Sequence, residues 1–186
     1  DRLRSRGLGD VYKRQAFSGC SAIKELIFED GTETLSLGYS KADDPRYTSR
    51  GLFYDCHLEK IYLGRNLKYD TNERCGYSPF ANNKYITSLT ISDSVTEIDN
   101  NAFYGCSELG DVTIGNSASS IGDNAFSGCE RLRGLTISNS VKEIGNSAFS
   151  SCNGLTKMTI PNSVTSIGNS AFSGCSAIKE LIFEDG

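Results

Sequence analysis

Histidine is nearly missing from this sequence: His57 is the one copy in 186 residues, which leaves a single imidazole for acid–base chemistry. No P-loop, G-x-S-x-G, H-E-x-x-H or EF-hand spacing is present either. No nucleotide, hydrolase, zinc or calcium motif therefore sets a function, and no cofactor or metal is called for. No apolar run reaches the 18 residues that a membrane-crossing helix needs. Apolar residues are sparse, at 38%, low for a compact globule but sufficient for a solenoid whose core is one or two side chains deep. The net charge of −4 and a pI of about 5.1 give no drive toward nucleic acid or an acidic membrane.

Residues 1–15 (DRLRSRGLGDVYKRQ) carry five Arg or Lys without the apolar stretch of a signal peptide. They match nothing in the pattern that begins at Ala16. They read as a non-repeat N-terminus of adaptor type, with a native cap as the alternative.

What is abundant is self-similarity, the first thing to seek in a chain of this kind. An A-F-x-G-C box, or a close variant, recurs around Phe17, Phe53, Phe80, Phe103, Phe126, Phe149 and Phe172. The first two intervals are 36 and 27 residues and the last four are 23 each. The unit reads A-F-x-G-C-x-x-L-x-x-L-x-I-x-N-S-V-x-x-I-G-x-x, clearest in residues 148–170. Leu155, Met158 and Ile160 alternate as a short strand does, apolar side inward. Pro161-Asn162-Ser163 turns the chain, and Val164 and Ile167 supply a second inward segment. Asn169-Ser170 is expected to cap a single helical turn carrying Ala171 and Phe172. The fold class expected is an α/β solenoid over residues 16–186: a right-handed superhelix of short parallel strands and helical turns, about 23 residues per coil.

Six of the seven cysteines stand three residues after a box Phe: Cys20, Cys56, Cys106, Cys129, Cys152 and Cys175. The unit that begins at Phe80 has Asn83 there. A disulfide framework is one reading, but regular stacking gives each thiol equivalent neighbours above and below and no unique partner. A ladder of buried free thiols, with Asn able to replace Cys as a small polar group inside the turn, fits better. Cys75 stands apart and is the one candidate for an exposed thiol. Cys56-His57 has the composition of a nucleophilic dyad; an inward Cys would point its neighbour away, so no catalysis is expected. Asp43-Asp44 and Glu29-Asp30 read as solvated turns.

The boxes, the L-x-x-L-x-I-P-N-S-V-x-x-I-G run and the 23-residue period resemble the BspA-like leucine-rich repeats (LRR) of bacterial and protist surface proteins. The resemblance covers residues 16–186. It implies a solenoid at the cell surface or secreted, an adhesin that binds host matrix proteins or other cells, and no catalytic residues.

Two surfaces are candidates for a partner. The outward positions of the strands form an extended face that includes a column of Thr90, Thr113, Thr136 and Thr159; threonine simply suits such positions. The second candidate is the pair of long coils after Phe17 and Phe53, because repeat insertions map to loops on one face. Seven of the nine tyrosines lie between residues 39 and 85, interleaved with arginines, and both types are enriched at interface hot spots. The residues singled out are Tyr39, Arg46, Tyr47, Arg50, Tyr62, Arg65, Tyr69 and Tyr77. The functional expectation is a cell-surface module that binds protein, possible targets including extracellular matrix; a structural spacer and a glycan reader are the rivals. Residues 16–31 are identical to 171–186, which reads either as a superrepeat or as an assembly of a repetitive gene closed on itself, and self-association through repeat ends is expected.

Overall fold

A computed structural model describes residues 2–4, 17, 19–37, 52, 53, 55–69 and 78–185. The described residues form fourteen short strands, paired in parallel wherever they pair, and no helix. Coils are numbered here by their box phenylalanine, coil 1 at Phe17 to coil 7 at Phe172. Coils 1–6 each contribute one strand to a first wall and a two-residue strand to a second, and coil 7 contributes to the first wall. The first wall holds β1 (Arg2–Arg4), β2 (Glu25–Phe28), β4 (Lys60–Leu63), β6 (Ser88–Ile91), β8 (Asp111–Ile114) and β10 (Gly134–Leu135), in that order, and then a separate pair, β12 (Lys157–Ile160) with β14 (Glu180–Phe183). The second wall holds β3 (Leu35–Ser36) paired with β5 (Leu67–Lys68), and β7 (Glu97–Ile98), β9 (Ser120–Ile121), β11 (Glu143–Ile144) and β13 (Ser166–Ile167) in a row.

The period-2 pattern determines which side chains are inside. In β6, Leu89 and Ile91 are buried and Ser88 and Thr90 are not; β8 and β12 repeat the alternation. Register is one coil per rung, Leu89 opposite Val112 and Ile91 opposite Ile114. The first wall lapses between β10 and β12, next to Pro161. There a proline nitrogen has nothing to donate, whereas two coil steps earlier Gly115 N–H gives its bond to Ile91 C=O at 2.8 Å.

The third side of each coil is the box. The seven phenylalanine rings form one continuous stack, with centroids 5.1–5.6 Å apart and planes within 12° of parallel. The helical turn expected at this side does not form. Two left-handed residues bracket the box Phe. One is two positions before it (Asn101, Asn124, Ser147 and Ser170, φ 53–57°), and one is two positions after it (Gly105, Gly128, Ser151 and Gly174, φ 60–77°). The three residues between them are too few for a bond from residue i to i+4. Alternate amides instead reach the next coil: Asn101 N–H to Asp123 C=O, Phe103 N–H to Ala125 C=O and Gly105 N–H to Ser127 C=O, at 2.7–2.8 Å. The class is thus an all-β solenoid among the described residues, not an α/β one.

The cysteine column is a hydrogen-bonded thiol ladder. Cys106, Cys129, Cys152 and Cys175 each donate Sγ–H to the carbonyl of the box Phe one coil back, at 2.9–3.4 Å. Asn83 meets the same need: its Nδ2 donates to Phe53 C=O at 3.1 Å and to Cys56 C=O at 2.9 Å. Asn83→Ala removes both bonds, leaving Phe53 C=O with the Cys56 N–H alone and Cys56 C=O without its side-chain donor, and is expected to cost about 1–3 kcal/mol. Asn83→Cys is expected to cost less, since it restores the donor used in the other coils. Urea unfolding of both variants decides the matter, and equal losses would show that the donor is immaterial.

Burial holds the thiols of Cys56, Cys106 and Cys129 protonated. Cys56 is pushed up to about 11 and Cys106 to about 12 from an ordinary 9.0. The unfolded chain ionises its cysteines from about pH 8.5. The stability these groups contribute is therefore complete below that pH and is lost as the pH rises toward 11–12. The melting temperature should fall between pH 8 and 10.5, and the slope should be shallower in Cys106→Ala; equal slopes in the two proteins would refute the assignment.

Candidate partner-binding corner

The extra residues of coils 1 and 2 enter at one place. In coil 4, six residues separate Ser120, the start of its second strand, from the next box Phe, Phe126. Coil 1 spends 18 residues between Leu35 and Phe53, and coil 2 spends 13 between Leu67 and Phe80. Because β3 and β5 pair directly, Leu35 opposite Leu67, both insertions leave the solenoid at the same corner and from adjacent coils. Tyr39, Arg46, Tyr47, Arg50 and Tyr77 lie in these insertions, outside the described residues, as do Cys75 and Asp43-Asp44.

Three of the singled-out residues are described, and all are engaged by neighbouring coils. Tyr62 stands at the centre of β4, facing outward, with its Oη donating to the two carboxylate oxygens of Asp30 at 3.0 Å. Partial burial and the Asp30 carboxylate both raise its phenol above the ordinary value, which keeps it a donor. Arg65 reaches back to the same turn, with Nε on Glu29 C=O at 2.9 Å and Nη2 on Asp30 C=O at 3.5 Å. Its guanidinium lies so close over Gly31 that a Cβ there would be 2.8 Å from Nη2. Together they clamp the turn after β2 onto coil 2. Tyr69 lies on the second wall; its Oη contacts Asn100 C=O at 3.4 Å, and burial, with the Asp99 charge second, raises its phenol well above the ordinary value.

Arg65 and Tyr69 also line a cleft between β5 and β7, floored by Phe80 and Phe103 and edged by Glu97 and Asp99. Its free volume is about 20 Å³, room for one water molecule and far short of a small-molecule site. Among the described residues, this cleft offers a partner surface and room for no more than a water.

His57 is turned away from chemistry. Cys56 donates its thiol to Phe17 C=O at 2.6 Å and is held protonated, while the His57 ring lies on Tyr85, centroids 4.1 Å apart at a 38° tilt. Tyr85 is 45% exposed, so the two rings make an outward aromatic pair at the entrance to β4 and β6. Reading Cys56-His57 as neighbours in sequence hid this pair; the signal was the spacing of His57 and Tyr85, close to one coil step. Among the described residues no group of three His, Cys, Asp or Glu could hold a metal ion.

On the outer face of the first wall, Ile27, Tyr62, Thr90 and Thr113 are successive register partners. The threonine column therefore begins only beyond Tyr62, and beyond the wall's lapse Thr159 is opposite Ile182. Ion pairs cross the rim of this face, Lys24–Glu59 at 2.8 Å, Arg131–Glu108 at 2.9 Å and Lys157–Glu180 at 3.0 Å, all too exposed to contribute much stability.

The family model for the BspA type leucine rich repeat region matches residues 73–186, with six copies. Among solved structures the chain is similar to a leucine rich cell surface protein of Faecalibacterium prausnitzii, at 19% identity and a TM-score of 0.58, covering 94% of this chain and 63% of that one. It is similar to a leucine-rich repeat protein of Bacteroides ovatus at 28% identity and a TM-score of 0.55, covering 80% of this chain and 33% of that one. A leucine rich repeat protein of T. pallidum matches at 21% identity and a TM-score of 0.53, covering 86% and 74%. The chain thus spans less than two thirds of the length of the first two. No curated protein sequence matches it.

Proposed function

Because this chain belongs to the BspA type leucine-rich repeat family, we propose that it is a cell-surface or secreted module that binds protein, with extracellular matrix protein as the target class. The observation that carries the reading is the shared corner: two adjacent coils, paired through β3 and β5, add their extra residues after the same strand of the coil. Those residues are rich in tyrosine and arginine, the side chains that most often anchor interfaces. The neighbouring coils keep their Asn and Cys side chains for one another, which fits a scaffold carrying a local binding patch. No reaction is assigned to it, since the buried thiols of Cys56, Cys106 and Cys129 are protonated and the lone imidazole lies on a tyrosine.

The test shortens coil 1 to within one residue of standard length by deleting residues 39–50 and, separately, replaces Tyr62 by Ala. Binding to immobilised matrix proteins is then measured, with circular dichroism as the check on folding. The deletion is expected to abolish saturable binding, and Tyr62→Ala to weaken it about tenfold, the 1.4 kcal/mol loss usual for an interface aromatic. Unchanged affinity in both would move the contact to another face. No saturable binding by the parent chain would favour a spacer, and a tyrosine fluorescence change with oligosaccharides alone would favour a glycan reader.

A further inference from the structure

The first wall is regular on both sides of coil 5 and irregular at it. β6 and β8 match over four rungs, Ser88 opposite Asp111 through Ile91 opposite Ile114, and so do β12 and β14. β8 and β10 match over two, Gly134 opposite Asp111 and Leu135 opposite Val112, and β10 and β12 over none. Thr136, Ile137 and Ser138 thus belong to no strand, although Ile137 keeps its side chain inside, 4% exposed.

Two features keep this seam from closing. Pro161, directly after β12, has no N–H for the carbonyl of Ile137, which stands where Ile91 does when it accepts from Gly115. The Ser138 hydroxyl is 7% exposed and, among the described residues, is the one buried side-chain oxygen or nitrogen without a partner. Its counterpart Ser92 accepts the Ser94 N–H at 3.1 Å. A buried hydroxyl left in this state gains hydrogen bonds by meeting water.

The other two sides of the same coil pair are closed. In the second wall Glu143 and Ile144 lie opposite Ser166 and Ile167, and Gly168 N–H reaches Ile144 C=O at 2.7 Å. In the box, Phe126 N–H reaches Ala148 C=O at 2.8 Å and Cys152 gives its thiol to Phe126 C=O at 3.1 Å. The Phe126 and Phe149 rings stack there at 5.5 Å, within 2° of parallel.

We propose that coils 5 and 6 meet at a hinge: the first wall opens and closes between β10 and β12 while the box and the second wall stay joined as its fixed edge. Opening here breaks no ladder rung and lets water reach the Ser138 hydroxyl, whereas opening between β6 and β8 would break four rungs. The buried Leu135, Ile137 and Met158 limit the amplitude, since apolar surface is exposed as the wall parts. The outer face of the first wall therefore changes its curvature at coil 5 while the segments on either side keep theirs.

Amide hydrogen exchange followed by NMR on the 186-residue chain tests this. Ile137 and Thr159, whose amides lie at the seam, should exchange at least about tenfold faster than Ile91 and Thr113, which hold the same places between coils 3 and 4. The Gly168 and Phe126 amides, which tie coils 5 and 6 together on the other two sides, should stay slow. Pro161→Ser supplies the N–H that Ser92 gives to Leu63 C=O at 2.9 Å, and should slow Ile137 and Thr159 to the rates of their counterparts. Three results would overturn the proposal: Ile137 and Thr159 as slow as Ile91 and Thr113, all the amides between coils 5 and 6 exchanging together, or Pro161→Ser leaving the fast exchange as it was. The second is the signature of coil 6 unfolding as a whole.

Discussion

Phe126→Ala is expected to destabilise the solenoid by about 3–5 kcal/mol, the range for deleting a buried aromatic ring. The ring is fully buried, 5.6 Å from Phe103 and 5.5 Å from Phe149. Two stacking contacts are lost along with the burial, each about 0.5–1.5 kcal/mol. The cavity has little means of closing, because the backbone around it is tied across coils: Phe103 N–H to Ala125 C=O at 2.7 Å and Phe126 N–H to Ala148 C=O at 2.8 Å. In a stack held by nearest-neighbour terms, weakening a central interface also divides the array, so the transition should broaden or separate into two. Urea unfolding followed by far-UV circular dichroism reads both effects. Phe172→Ala, at a half-buried ring, should cost clearly less, and a loss below about 1 kcal/mol for Phe126→Ala would mean that the ring does not support the core.

Gly145→Ala is expected to cost about 3 kcal/mol for a single added methyl group, toward the upper end for overpacking. Its Cβ would sit 2.6 Å from Asp123 N and 2.7 Å from Gly122 C, both backbone atoms of the preceding coil. No side-chain rotamer relieves such a contact, so the coils must separate. The bonds nearest the wedge are Gly145 N–H to Ile121 C=O at 2.8 Å and Asn146 N–H to Asp123 Oδ1 at 2.6 Å. The second belongs to a column in which Asn100, Asp123 and Asn146 each accept the amide of the equivalent residue one coil later, at 2.6–2.8 Å. Gly134→Ala is the control: nothing lies within 4 Å of its Cβ, and the stiffer unfolded chain should make it neutral or stabilising by about 0.4–1 kcal/mol. If the two variants unfold at the same urea concentration, close backbone approach is not why glycine follows the second strand.

Repeats are legible because each coil faces the same neighbours, so one environment is written into the chain seven times over. The box phenylalanines, the alternation of Leu89 with Ile91 and the cysteine rung were all readable from that redundancy, as was the exchange of Cys for Asn83. The helical turn was misread because Asn-Ser before Ala-Phe is also a helix cap. Which of the two forms depends on the sign of φ at Ser147 or Ser170, and the left-handed Ser147 gives its amide to Asn169 C=O of the adjacent coil at 2.9 Å.

The candidate site divides in the same way. Sequence spacing was enough to place the extra residues of coils 1 and 2 and the concentration of tyrosine and arginine within them. It did not show that Tyr62 and Arg65 are bound to the turn after β2, nor that His57 belongs with Tyr85 and not with Cys56. By itself, then, the sequence determined the repeat, its inward side chains and its thiol ladder, because those are periodic and local to the coil. Only the tertiary structure decided the left-handed residues of the box, the glycine–asparagine corner and the partners of the polar side chains. Each of these is a contact between residues one coil apart, and it exists only once the backbones are stacked.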